Sequence, residues 1–216
     1  MISRKQFIKK SFKFYLPVLT FFFPLLSLAH KVFSQTKKTV LPSNFPAAQL
    51  ILKDPKSIDS SNIEVTPLKD FGTMGTTDHK VDMATWRLKI HGKVEHPVEL
   101  TLSQIRDLPS VNKKILLICP GFFSNQGLWK GVDMNSLLDK TKVTKDAEKI
   151  VFSGADGESV KTETYPVAEI KAGDVFLAYE VNGVPLPRKH GFPLRIVAGN
   201  NYGNDWVKYV FEMKFI

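Results

Sequence analysis

From Trp86 to Ile90 apolar and polar residues alternate, which predicts a strand with one wet face. Gly92 interrupts it, and Pro97–Leu100 reads as a second short strand. Thr101–Leu108 has the shape of a capped helix, with Thr101 or Ser103 as N-cap and Pro109 as its stop. Then the pattern becomes continuous. The run Ile115–Ile118 predicts a buried strand that delivers Cys119 into a break made by Pro120 and Gly121. After Trp129 and Gly131 a helical pattern covers Val132–Leu138 and closes near Lys140. Lys149–Ser153 predicts a strand running into a turn at Gly154–Gly157. Asp174–Val181 predicts another strand. Asn182-Gly183 follows as a type I′ hairpin turn, because both central residues of that turn need positive φ. Val184–Pro187 leads back, Pro193–Val197 forms a strand, Ala198–Asp205 a loop, and Trp206–Ile216 the last strand. The sum is a mixed, strand-rich α+β fold in a single domain with long loops.

The first 80 residues read differently. Residues 1–34 open with a basic stretch, MISRKQFIKKSFK, and continue with the apolar FYLPVLTFFFPLLSLA. That layout predicts a secretory signal peptide and a periplasmic or otherwise exported protein. An uncleaved leader serving as an N-terminal anchor is the second choice, since the run is short and holds Pro17 and Pro24. Ser3-Arg4-Lys5-Gln6-Phe7-Ile8-Lys9 resembles a twin-arginine export motif, with Lys5 where the second arginine stands. Residues 35–80 are rich in Pro, Ser, Thr and Lys and predict an extended arm with one short helix, Ala47–Lys53. The domain proper then spans 81–216.

Charge changes this picture once. The net charge is +9 over 216 residues, which invites a nucleic-acid partner. Six of those charges lie in residues 1–34, which hold no acid, so residues 35–216 carry only +3. No basic stripe with interleaved aromatics follows, and nucleic acid is excluded as a partner. The chain has one cysteine, so it forms no internal disulfide. In an exported protein Cys119 is then either a buried, inert strand-end residue or a thiol held by a metal or substrate. A second constellation lies in 182–208, where His190, Arg195 and Lys208 sit among glycines and prolines. These cations, with backbone groups near Trp206 and Val207, suit a phosphate or polar heterocycle; the plain alternative is a charged surface loop.

Four segments together resemble a known family. They are Trp86-Arg87-Leu88-Lys89-Ile90-His91-Gly92 with Pro97 and Leu100; Cys119 with Trp129-Lys130-Gly131-Val132; Leu177 through Pro187; and His190 through Arg195 with Tyr202-Gly203 and Trp206-Val207-Lys208. In order and spacing they are similar to the oxidoreductase molybdopterin-binding domain of the sulfite oxidase and methionine sulfoxide reductase catalytic-subunit type. The resemblance implies a sulfite-oxidase-type fold and a molybdenum–molybdopterin cofactor. It implies that Cys119 is the catalytic thiolate ligand of molybdenum, the pterin dithiolene supplying the other sulfurs. It further implies that His190, Arg195, Trp206, Val207 and Lys208 hold the pterin and its phosphate.

The implied activity is a two-electron oxygen-atom transfer on a small-molecule substrate. With one cysteine there is no C-x-x-C-H haem motif, and no flavin or nicotinamide fingerprint is present. Electrons would therefore pass to an external electron-transfer protein, a cytochrome or a haem-bearing membrane subunit. Pro120–Asn125 holds no arginine, Ser159-Val160 stands where the sulfite oxidases keep a tyrosine, and the cofactor-contacting Asn-rich start is replaced by Thr66–Gly72 with Asp70. Phe122, Phe123 and Trp129 suggest a partly apolar substrate pocket, or else core packing. The alternative to an enzyme is a binding module that keeps the fold without the metal.

Overall fold

The computed structural model describes residues 38–216, so the leader lies outside the described residues. Two five-stranded sheets carry the molecule. In the first, Ser110–Cys119 (β5) pairs antiparallel along its whole length with Phe123–Val132 (β6). β6 pairs with Val175–Val181 (β9), which also pairs with Val184–Pro185 (β10) and Arg195–Ala198 (β11). In the second sheet Val98–Leu100 (β4), Leu88–Gly92 (β3), Val210–Phe215 (β12), Lys149–Asp156 (β7) and Ser159–Pro166 (β8) lie in that order, with β3 and β12 parallel. Among the described residues there are four short α-helices: Ala47–Leu50 (α1), Leu102–Arg106 (α2), Met134–Thr141 (α3) and Val167–Ala172 (α4). Among the described residues no helix is long and apolar enough to cross a membrane.

β5 shows why its central run is apolar without a break. Leu117 faces the main core, while Leu116 and Ile118 face a second cluster built with Leu41, Leu50, Ile58 and Ile63 of the arm. A strand covered on both faces needs apolar residues at every position, not alternate ones. The arm reaches this face through Thr39–Val40 (β1) and Ile58–Asp59 (β2), a short parallel pair.

Several expected elements differ in the structure. The helix expected from Val132 starts at Met134, capped by Asp133, whose carboxylate accepts from the Asn135 N–H at 3.1 Å. Val132 instead ends β6, paired with Ser110 and fully buried. The turn expected at Gly154–Gly157 is shorter, because β7 runs on to Asp156 and only Gly157 takes positive φ. The last strand begins at Val210, not Trp206. β8 and α4 have no counterpart in the sequence reading. Two expectations stand. Thr101 and Gln104 form a reciprocal capping box on α2. Asn182 (φ 52°) and Gly183 (φ 80°) make the primed turn between β9 and β10.

Candidate active site

Cys119 ends β5 and sits opposite Phe123, so the chain reverses over Pro120, Gly121 and Phe122. Gly121 adopts φ +77°, which a side-chain-bearing residue rarely does. The thiol lies on the wall of a cavity of about 220 Å³. Leu117, Phe123, Arg195, Trp206 and Lys208 share that wall, with Gly72–Gly75 of the arm and Ala155, Asp156 and Lys161 of the β7–β8 hairpin. The expected residues Cys119, Arg195, Trp206 and Lys208 are therefore brought to one cavity. His190 and Val207 are not on its wall: His190 stands behind Arg195, and Val207 is buried in the sheet junction.

Arg195, at the start of β11, is held from three sides. Its Nη1 donates to the His190 carbonyl at 3.0 Å. Its guanidinium lies 5.1 Å from the Trp129 ring centre and 5.5 Å from that of Trp206. Two indole faces can retain a buried cation that no carboxylate neutralises. Burial lowers the guanidinium pKa to about 10, still charged at neutral pH. The Lys208 ammonium donates to the carbonyls of Met74 (2.8 Å) and Lys189 (3.3 Å), and to that of Thr76. Burial and then Arg195 bring it down to about 8. His190 is buried and its Nε2 has no partner. Burial first, and then Arg195, Lys189 and Lys208, push its pKa down to about 4, so the imidazole is neutral. Burial also raises the Cys119 thiol, which favours the protonated form until a cation meets the sulfur. The Met74 thioether lies 3.3 Å from that sulfur.

Part of the backbone expected of Trp206 and Val207 is already engaged. The Trp206 N–H donates to the Gly203 carbonyl at 3.2 Å, and the Val207 carbonyl accepts from the Ile196 N–H at 2.9 Å. These bonds fix the loop after β11 against β11 itself. Of the aromatics proposed for a substrate pocket, only Phe123 lines the cavity. Trp129 is fully buried, its indole N–H donating to the Ile115 carbonyl, and Phe122 is exposed at the hairpin tip. The tyrosine of β8, Tyr165, is buried against Phe152 and its hydroxyl donates to the Asp205 carbonyl, so it steadies the 203–205 turn and does not reach the cavity. Asp70 is exposed and off the cavity wall.

Sequence reasoning missed the Gly72–Gly75 strap and the pair Asp156 and Lys161. The strap carried a faint signal, the mostly small residues around Met74 in Gly72-Thr73-Met74-Gly75-Thr76-Thr77. The hairpin pair carried none, because β8 itself was not read.

The cavity fits a cofactor bearing both sulfur-binding metal and phosphate. Three cations, Arg195, Lys208 and Lys161, line it against the single carboxylate of Asp156. A buried imidazole nitrogen behind them lacks a partner. One soft thiol stands on the same wall. No group of three His, Cys, Asp or Glu side chains gathers among the described residues.

Comparison with known proteins agrees with this geometry. The family model described as "Oxidoreductase molybdopterin binding domain" matches residues 74–216. YuiH, an oxidoreductase of Bacillus subtilis strain 168, is 30% identical over 142 residues, which cover 65% of this chain and 70% of YuiH. A nitrate reductase [NAD(P)H] of Hordeum vulgare is 29% identical over 61% of this chain. The match spans only 18% of that much longer enzyme. The crystal structure of the sulfane dehydrogenase SoxCD of Paracoccus pantotrophus superposes with a TM-score of 0.60 at 24% identity, over 70% of this chain and 46% of that one. It shares the fold. The matched span contains the thiol, the three expected cations and both sheets, and on that ground the chain belongs to the oxidoreductase molybdopterin-binding domain family.

Proposed function

We propose that this protein is an exported mononuclear molybdenum oxidoreductase that moves an oxygen atom to or from a small substrate. The observation that carries the proposal is the placing of Cys119 on one cavity wall with Arg195, Trp206 and Lys208. When bound, the molybdenum–molybdopterin cofactor supplies the two-electron oxygen-atom chemistry. The chain supplies position and charge. Cys119, fixed at the end of a fully paired strand, would hold the metal as a thiolate; without such a cation burial keeps the thiol protonated. Arg195 and Lys208 hold the phosphate, the first as a planar fork braced by two indoles and the second as a point charge. Neutral His190, behind the wall, braces Arg195 through its carbonyl, and its buried Nε2 is unpaired. Leu117, Phe123 and Trp206 line the cavity with apolar surface that limits water.

Electrons are exchanged with a separate redox protein, a cytochrome or a haem-bearing membrane subunit. Export rests on the basic-then-apolar leader. The proposal is tested by assaying the purified full chain with oxygen-atom donors and acceptors, coupled to a redox dye. Wild type turns over at least one of them, and Cys119→Ser turns over none. An active serine variant would remove Cys119 from the metal.

A further inference from the structure

The strap formed by Gly72–Thr76 closes the cavity over Cys119 without belonging to either sheet. Its residues from Thr73 on are fastened mostly from exposed or half-buried positions, with buried Tyr209 the exception. The Thr73 hydroxyl donates to the Lys189 carbonyl at 3.1 Å, the Thr76 hydroxyl to Asp156 Oδ1 at 2.7 Å, and the Tyr209 hydroxyl to the Thr76 carbonyl at 3.2 Å. Lys208 adds bonds to the Met74 and Thr76 carbonyls. The upstream end is fastened by one buried side chain. Asn125, on β6, is 2% exposed. Its Oδ1 accepts from the Gly72 N–H at 3.0 Å and its Nδ2 donates to the Gly72 carbonyl at 2.9 Å. A primary amide is one of the few side chains that can satisfy the donor and the acceptor of one residue together. Gly72 has no room of its own, since a Cβ there would come 2.4 Å from the Phe123 ring. The strap thus turns into the cavity at a point where the ring of Phe123 lies in the space a side chain would take and the amide of Asn125 pairs both backbone groups.

We propose that Asn125 is a positioning residue that locks Gly72 and so holds the Gly72–Thr76 strap as the wall over the Cys119 thiol. Its consequence for cofactor retention rests on the molybdopterin reading above; its consequence for the thiol does not. Asn125→Asp discriminates. A neutral carboxylic acid can still donate to the Gly72 carbonyl while accepting from its N–H, whereas a carboxylate faces that carbonyl with no proton to give.

The test is made on the full chain from a host that cannot make the pterin, reading the rate at which 4,4′-dithiodipyridine modifies Cys119. Each rate is first corrected for that protein's own thiolate fraction, read from its own pH titration, and the variant value is then divided by the wild-type value at each pH. The expected ratio is about tenfold at pH 8, corresponding to about 1.4 kcal/mol of strap opening, and falls toward one near pH 4 as the acid becomes neutral. A ratio near one throughout, or raised equally at both pH values, overturns the positioning role. Should the Asp variant fail to fold, Gly72→Ala attacks the same lock from the strap side and should expose the thiol by a similar factor at every pH. Wild-type shielding in that variant overturns the proposal too. A second arm on protein from a cofactor-making host reads pterin release. A shielding effect without any bound pterin in wild type keeps the positioning role and removes the molybdopterin reading.

Discussion

The two sheets solve the same packing problem in opposite ways. In the second sheet β3 runs buried, exposed, buried from Leu88 to Ile90, and Met213–Phe215 of β12 repeats that alternation, so most polar side chains leave the core by geometry, with buried Ser153 the exception. In the first sheet both faces are covered over Leu116–Cys119 of β5 and Asn125–Gly127 of β6, and polar groups go inside. Asn125, Gln126 and Arg195 are all under 5% exposed. Each must then find partners within the protein. Asn125 pairs Gly72, Gln126 Nε2 donates to the Ser60 carbonyl at 3.0 Å, and Arg195 rests between two indoles. The sheet that accepts buried polarity is the one that carries the thiol and the guanidinium.

The largest expected effect breaks that arrangement directly. Arg195→Met removes the cation between Trp129 and Trp206 and leaves the His190 carbonyl without its donor. Pterin content should fall at least tenfold. Arg195→Lys should not restore it, because an ammonium cannot fill the planar slot. Full retention in the lysine variant would show that charge alone suffices. Close behind comes Gly131→Ala, whose Cβ would meet the Leu177 carbonyl oxygen at 2.1 Å between β6 and β9. Urea unfolding should show a loss of roughly 3 kcal/mol, at the high end for one substitution. An unchanged midpoint would mean that the first sheet yields more easily than its packing implies.

The buried imidazole gives a pH signature. Because folding lowers the His190 pKa from 6.5 to about 4, its neutral form is favoured in the folded state. The folded state then binds fewer protons than the unfolded chain between those values. Stability is complete above about pH 6.5 and is lost as pH falls through 4, by on the order of 3 kcal/mol. His190→Gln should flatten that slope in denaturant titrations at pH 7 and pH 4.5. The smallest effect belongs to the hairpin tip, where Phe122 is 68% exposed and Phe122→Ser should stay within about 0.5 kcal/mol of wild type. A larger loss would place that ring in a contact with the arm.

The difference between the sheets also decides what the sequence reveals. Strands whose faces alternate, such as β3, are plain in the chain, and so is β5, where two covered faces give one apolar run. β6 is hidden because Ser124-Asn125-Gln126-Gly127 has the composition of a loop. Those residues enter a strand because they pair with Ile115–Ile118 of β5 while the arm supplies side-chain partners from Ser60, Thr66 and Gly72, far away in the sequence. β8 is hidden for the reverse reason: at the sheet edge its residues are mostly exposed or half-buried, and Ser159–Glu163 offers little apolar pattern. Of the site, the thiol and the cations are visible because their residue types are chemically specific. The strap and the Asp156–Lys161 pair are set by tertiary contacts that no local pattern encodes.

The central claim is that this cavity holds a molybdopterin through Cys119 and its cationic wall. Its most direct test is the molybdenum and pterin content of the full chain purified from a host that makes the cofactor, compared with Cys119→Ala. The wild-type chain should carry close to one molybdenum, and an equally well-folded variant should show a marked loss of metal. A folded wild-type protein with neither molybdenum nor pterin would contradict it and leave Cys119 as a buried residue at the end of a strand.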